Sequence, residues 1–152
     1  MTALSILTTT KHETLGFLLS DTSRLLRRAF QEKLVGSDLS MSEAKALFYV
    51  SRQEGLRQVD LASLLEVQPI AVARLVDHLE NLELIERRAA PGDRRAYLLY
   101  LLPKARPVLE RFEADAAEIR HIATRGLSRA EVSALHESLE YMRDNLTELL
   151  KK

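Results

Sequence analysis

The sequence predicts a mainly α fold with one small antiparallel β hairpin, and three observations carry that expectation. Apolar residues recur at helical spacing along most of the 152-residue chain. Leu is abundant whereas Gly and Pro are few, at 5 and 4 residues, which favours helices over a sheet-rich fold. A single stretch, Leu84–Leu102, breaks the helical period. It is rich in Tyr and Leu around a Pro-Gly pair, as a hairpin is.

The elements follow in order. From about Glu13 to Val35, Leu15, Leu18, Leu19, Leu25, Leu26, Ala29, Phe30 and Leu34 share the face of a long helix, which Gly36 stops. Ser40 has Glu43 three residues on and makes a capping box; Ser42 has Lys45 there and does not. The second helix runs to about Gln53 through Ala44, Leu47, Phe48 and Val50, and Gly55 ends it. A short helix over Gln58–Leu65 leads through Glu66-Val67-Gln68 to Pro69, which suits a first helical turn because its missing N–H costs nothing there. From Pro69 to about Leu82, Val72, Leu75, Val76, Leu79 and Leu82 lie on one face, and Ile70, Arg74, Asp77, His78 and Asn81 on the other. The hairpin has arms Leu84–Ala89 and Ala96–Leu102 and the tip Ala90-Pro91-Gly92-Asp93-Arg94-Arg95. A two-stranded hairpin is not stable alone, so it must pack on its neighbours. After Pro103 comes a helix to about Arg125, with Val108, Leu109, Phe112, Ala116, Ile119, Ile122 and Ala123 on its stripe. Gly126 breaks it, Ser128 to Glu131 is a second capping box, and the last helix carries Val132, Leu135, Leu139, Met142, Leu146 and Leu149.

Composition bounds the function. With 46% apolar residues the chain can build a core. Its formal net charge is zero, so global charge announces no partner. Locally, Leu84–Arg106 holds Arg87, Arg88, Arg94, Arg95, Lys104 and Arg106 against Glu86 and Asp93. That basic patch fits a protein binding DNA with one face, or an ordinary solvated hairpin. There is no cysteine, which excludes disulfides and thiol-based redox sensing. The only apolar run near the N-terminus is the short Leu4–Leu7, without a basic region before it, and no segment is apolar enough to span a bilayer. These features lead us to expect a cytoplasmic protein. No nucleophile–base pairing, phosphate-cradling glycine loop or metal motif is present, so neither an enzyme nor a cofactor is expected. His12, His78, His121 and His136 are scattered; Glu118 and His121 share an i, i+3 spacing, but one pair is not a four-ligand zinc site.

The order helix, short helix, tight turn, helix, hairpin is that of a winged helix–turn–helix, here spanning residues 37–102. Such a unit places the N-terminal end of its second helix in the DNA major groove. Gln68, Pro69, Ile70 and Ala71 lie at that end, with Arg74 one turn on. Gln pairs with adenine, Arg with guanine, and Ile or Ala meets a thymine methyl. His78, a further turn along, is a candidate phosphate contact, whereas Asp77 should sit away from the DNA backbone. Arg57 and Gln58 open the preceding helix, either as a phosphate site at its N-terminus or as a solvated helix start. At the wing tip Arg94 and Arg95 are candidate DNA contacts, Arg95 favoured in a narrow minor groove. Asp93 either holds an arginine by a charge-assisted bond or forms a surface ion pair of little consequence. The outer segments, residues 1–36 and 103–152, are long amphipathic helices whose stripes exceed what one small unit covers. An intertwined homodimer uses them as dimerisation helices; a monomeric helical core is the alternative. A winged-helix protein–protein module without DNA binding is the alternative function.

Taken with Val72-Ala73-Arg74-Leu75-Val76-Asp77-His78-Leu79-Glu80, Leu84-Ile85-Glu86-Arg87-Arg88 and Gly92-Asp93-Arg94-Arg95-Ala96, nearly the whole chain resembles the MarR family of bacterial transcriptional regulators. The resemblance maps the family's D-x-R wing pattern onto Asp93 and Arg95, with Asp93 bracing Arg95 for the minor groove. It maps the Arg-x-x-Asp-x-Leu-Glu run onto Arg74, Asp77, Leu79 and Glu80, and so implies that Arg74 contacts DNA. Gln68-Pro69 is similar to a pair in one branch of the family, set one residue early. Glu66 stands where the family commonly has glycine. The resemblance implies a homodimer on a palindromic operator, most often as a repressor, tuned by small phenolic or carboxylate ligands. By that analogy the ligand residues are Phe17, Ser20 and Arg24 on the first helix, Leu47 and Phe48 on the second, and Phe112 on the fifth. Absence of cysteine rules out the peroxide-sensing branch, and absence of tryptophan counts against the urate-responsive one.

Overall fold

The structure, a computed structural model, describes residues 13–151. The Leu4–Leu7 run and His12 lie outside the described residues. The elements are α1 (Leu15–Lys33), α2 (Met41–Arg52), β1 (Leu56–Arg57), α3 (Gln58–Leu65), α4 (Pro69–Asn81), β2 (Ile85–Ala90), β3 (Asp93–Leu101), α5 (Ala105–Ala123) and α6 (Arg129–Leu149). This is the mainly α winged-helix fold with a small antiparallel sheet that the sequence predicts. The described residues divide into two units, one ending at Ala116 and the other running from Ala117 through α6. No described helix is long and apolar enough to cross a membrane.

Capping accounts for several boundaries. Thr14 accepts from the Phe17 N–H at the start of α1. The Ser40/Glu43 and Ser128/Glu131 capping boxes both form, each satisfying two N–H groups that the helix leaves unpaired. Pro69 is the first residue of α4.

In the first unit, α2, α3, α4 and the sheet close on one core. Leu47, Val50, Leu61, Val72, Val76, Leu79, Ile85 and Leu99 are its largest fully buried side chains. Leu75 and Leu82 pack on its margin, which completes the stripe expected for α4. Phe30 of α1 meets Phe112 of α5 edge to face, with centroids 6.4 Å apart.

The sheet differs from the expected hairpin in two ways. It has three strands in the order β1-β3-β2, all antiparallel. Leu56 pairs with Leu99 and Arg57 with Leu98. Two residues are too few to display the alternation that identifies a strand. The turn is also tighter than expected. Only Pro91 and Gly92 connect the strands, and Gly92 takes φ +80°, which glycine adopts without steric cost. Regular pairing runs from Ile85↔Leu101 to Ala89↔Tyr97, and the next pair is Ala90↔Asp93. Arg94, Arg95 and Ala96 are therefore extra residues on β3 with no counterpart on β2. They form a bulge, not part of an open loop, and bulges bend a strand and re-aim its side chains.

Candidate nucleic-acid interface

Both helices of the helix–turn–helix end in the same local geometry. At the end of α3, Glu66 is left-handed (φ 54°, ψ 42°). The Val67 N–H donates to the Ala62 carbonyl and the Glu66 N–H to the Ser63 carbonyl. At the end of α4, Glu83 has φ 58°, the Leu84 N–H donates to the Leu79 carbonyl and the Glu83 N–H to the Glu80 carbonyl. Each is a Schellman closure with glutamate at the position usually filled by glycine. The turn before α4 thus keeps its left-handed bend despite Glu66.

The N-terminal end of α4 is open. Gln68, Pro69, Ile70, Ala71 and Arg74 are all exposed, Ile70 at 66%. Ile70 thus lies outside the core. Among the described residues the side chains of Arg57, Arg74, Arg94 and Arg95 make no ion pair or hydrogen bond, and all four are exposed. Arg57 ends β1 and is the N-cap residue of α3.

The other two arginines of the sheet are engaged internally. Arg88 pairs with Glu86 and stacks over the Tyr100 ring, 4.0 Å from its centroid. Arg87, only 15% exposed, joins three elements. Its Nη1 donates to Asp77 Oδ1 at 2.6 Å and to Glu80 Oε2 at 2.5 Å. Its Nη2 donates to the Ala73 carbonyl at 2.9 Å, and its Nε to Gln58 Oε1 at 2.8 Å. The Arg87 backbone N–H donates to Glu80 Oε1 at 2.9 Å. Reading the segment's charge as one undivided patch missed this partition. The spacing from Asp77 to Arg87 spans a helix end and a strand start, so only the fold brings them together.

Two further residues have internal partners that the sequence did not indicate. The Asp93 carboxylate accepts from the Arg95 backbone N–H at 2.9 Å instead of from a guanidinium. The brace acts on the backbone of the bulge and leaves the Arg95 side chain unpaired among the described residues. His78 Nδ1 lies 2.6 Å from Glu43 Oε1, which ties α4 to the N-terminus of α2. Only Nε2 remains for any outside partner. Burial pushes the Glu43 carboxyl up, but hydrogen bonds from the Ser40 N–H, His78 and the Ser40 hydroxyl outweigh it and hold the group below its ordinary 4.5.

A cleft of about 440 Å³ lies between α1, α2 and α5. Phe30, Phe48, Tyr49 and Phe112 line it, with Arg27, Lys45 and Glu113 as its charged groups. Of the six ligand residues expected by analogy, Phe48 and Phe112 line it. Phe17, Ser20 and Arg24 do not, because α1 turns the face of Ser23, Leu26, Arg27 and Phe30 toward the cleft. Arg24 pairs instead with Asp21, and Leu47 is fully buried in the core. Among the described residues no group of three or more metal-ligating side chains converges.

The α3–α4 pair followed by the β2–β3 wing defines a winged helix–turn–helix protein. The profile of the MarR family matches residues 39–97, from the loop before α2 to the middle of β3. Transcriptional regulator PA3341 is 32% identical, over 89% of this chain and 99% of that one, with a TM-score of 0.76. A MarR transcriptional regulator from Methanosarcina mazei Go1 shares the fold at a TM-score of 0.80 and 21% identity, covering 89% of this chain and 97% of that one. A structure of MarR does so at 0.84 and 20%, covering 93% and 96%. The chain belongs to the MarR family, and its fold is that of a DNA-binding transcriptional regulator.

Proposed function

We propose that two copies of this chain bind a two-fold symmetric operator as a repressor. In each copy α4 enters the major groove and the bulged wing tip reaches the adjacent minor groove. The observation that carries this reading is the set of four exposed guanidiniums, on Arg57, Arg74, Arg94 and Arg95, that are unpaired among the described residues. An arginine left without an internal partner is available for bidentate contact with guanine or phosphate. Gln58, Gln68, Pro69, Ile70 and Ala71 complete the surface, with His78 as a phosphate contact through Nε2.

The dimer is the reason for the outer helices. Neither α1 nor α6 has a buried residue, although Leu15, Leu18, Leu25, Leu135, Leu139 and Leu146 are large and apolar. A second copy covers them. The cleft suits a small aromatic carboxylate, with aromatic walls for the ring and Arg27 and Lys45 for the charge. Such a ligand acts as an effector by binding DNA-competent and DNA-incompetent dimers unequally.

The test is selection of bound duplexes from a random pool, followed by affinity at several salt concentrations. The expected outcome is a palindrome with half-sites about one helical turn apart and binding that falls steeply with salt. No enrichment and no salt-dependent binding would refute DNA recognition and favour the protein–protein module.

A further inference from the structure

We infer that Arg87 is a positioning residue for DNA recognition: without touching DNA, it sets the amide of Gln58 and neutralises the acidic side of the reading helix. The inference rests on the DNA reading above.

Hydrogen-bond chemistry fixes the first part. The Arg87 Nε–H can only donate, so the Gln58 atom 2.8 Å away must be the carbonyl oxygen. The Gln58 amide NH2 is thereby directed away from Arg87. Gln58 is the first residue of α3, half-buried, at an end where free N–H groups already favour an anion. An NH2 donor held in that orientation adds to the same anion site, whereas a flipped amide would present an oxygen and repel phosphate.

Electrostatics carries the second part. Asp77 and Glu80 put two carboxylates on α4, and Asp77 is largely exposed. Facing DNA unpaired, they would repel the phosphates flanking the groove. The Arg87 guanidinium holds both, along with the Ala73 carbonyl. The same contacts link β2, α3 and α4, so wing and reading helix keep one relative placement. Preorganised placement lowers the ordering cost of binding.

The test uses the full-length protein and the duplex that the wild type selects from a random pool. Arg87→Gln is expected to weaken binding about ten-fold or more, and to cost much less in a background of Asp77→Asn with Glu80→Gln, where there are no carboxylates for it to neutralise. A guanidinium that itself contacts phosphate would cost the same in both backgrounds, and this result would overturn the inference. Arg87→Lys should recover little, since an ammonium cannot reproduce the fork. Adding Gln58→Ala to Arg87→Gln should cost less than Gln58→Ala costs in the wild type; additive losses would overturn the coupling. If Arg87→Gln folds poorly, Gln58→Glu serves: it keeps an oxygen for Arg87 but lacks the NH2. It should bind as weakly as Gln58→Ala or more weakly, and wild-type binding would overturn the inference. Failure of the wild type itself to bind any duplex overturns the DNA reading, and this inference with it.

Discussion

A guanidinium that already holds two carboxylates offers little to a phosphate, and at the residue scale this divides the arginines of the wing into two kinds. Arg95 has no side-chain partner among the described residues, and its backbone is fixed by Asp93. Arg88 is held by Glu86 and the Tyr100 ring. Arg95→Ala should weaken operator binding by about 1–3 kcal/mol, while Arg88→Ala should change it by less than about 0.5 kcal/mol. Titrations at one fixed salt concentration, with a check that the dimer persists, distinguish the two; equal losses would refute the partition. Glu43 makes a pH prediction. Its folded value lies below 4.5, so its stabilising effect is complete above that pH and is lost as pH falls through the folded value. Glu43→Gln should therefore flatten the decline of Tm with acid relative to wild type. Parallel curves below pH 4.5 would show that the Ser40–Glu43–His78 cluster contributes no pH dependence.

Elements are limited by their ends. Glu66 and Glu83 sit in a left-handed conformation that costs an L-residue about 1–2 kcal/mol relative to glycine. Glycine at position 66 gains that relief but loses about 0.5–1 kcal/mol to its greater unfolded freedom. Glu66→Gly is expected to raise stability by up to about 1 kcal/mol in denaturant unfolding. Glu66→Val should lower it, because a β-branched residue tolerates positive φ least. If the Glu66→Gly variant proves less stable than wild type, the turn relies on an interaction of the glutamate itself. Between these two ends, the buried stripe of Val72, Val76 and Leu79 holds α4 on the core and leaves Arg74 on the open face.

At the scale of the whole molecule, the proposed function requires a second copy. Leu135→Glu with Leu139→Glu places two charges on the apolar stripe of α6, where both leucines are exposed in the single chain. Sedimentation should show a shift to monomer, and operator affinity should fall steeply because two half-sites are no longer bound together. A double variant that stays dimeric would place the interface elsewhere. The cleft gives a companion test. Hydroxybenzoate at a hundred times its dissociation constant should stabilise the protein by about 2.7 kcal/mol, and Arg27→Ala with Lys45→Ala should abolish the rise in Tm.

Sequence alone determined the six helices and the hairpin, because a 3.6-residue apolar period, two capping boxes and a Pro–Gly turn are local signals, each readable within a few residues. It also brought forward Arg74 and Arg95, which need only a helix face and a hairpin tip. What lay beyond it depends on distant residues meeting. β1 is two residues that become a strand only beside β3. The face that α1 turns toward the cleft is set by α2 and α5, which is why Phe17, Ser20 and Arg24 fall outside the lining and Arg27 within it. Above all, Arg87 and Arg94 are equally basic in a sequence. Only the tertiary structure brings Asp77, Glu80 and Gln58 to one of them and leaves the other without a partner among the described residues, because charge pairing is a property of distance and not of order along the chain.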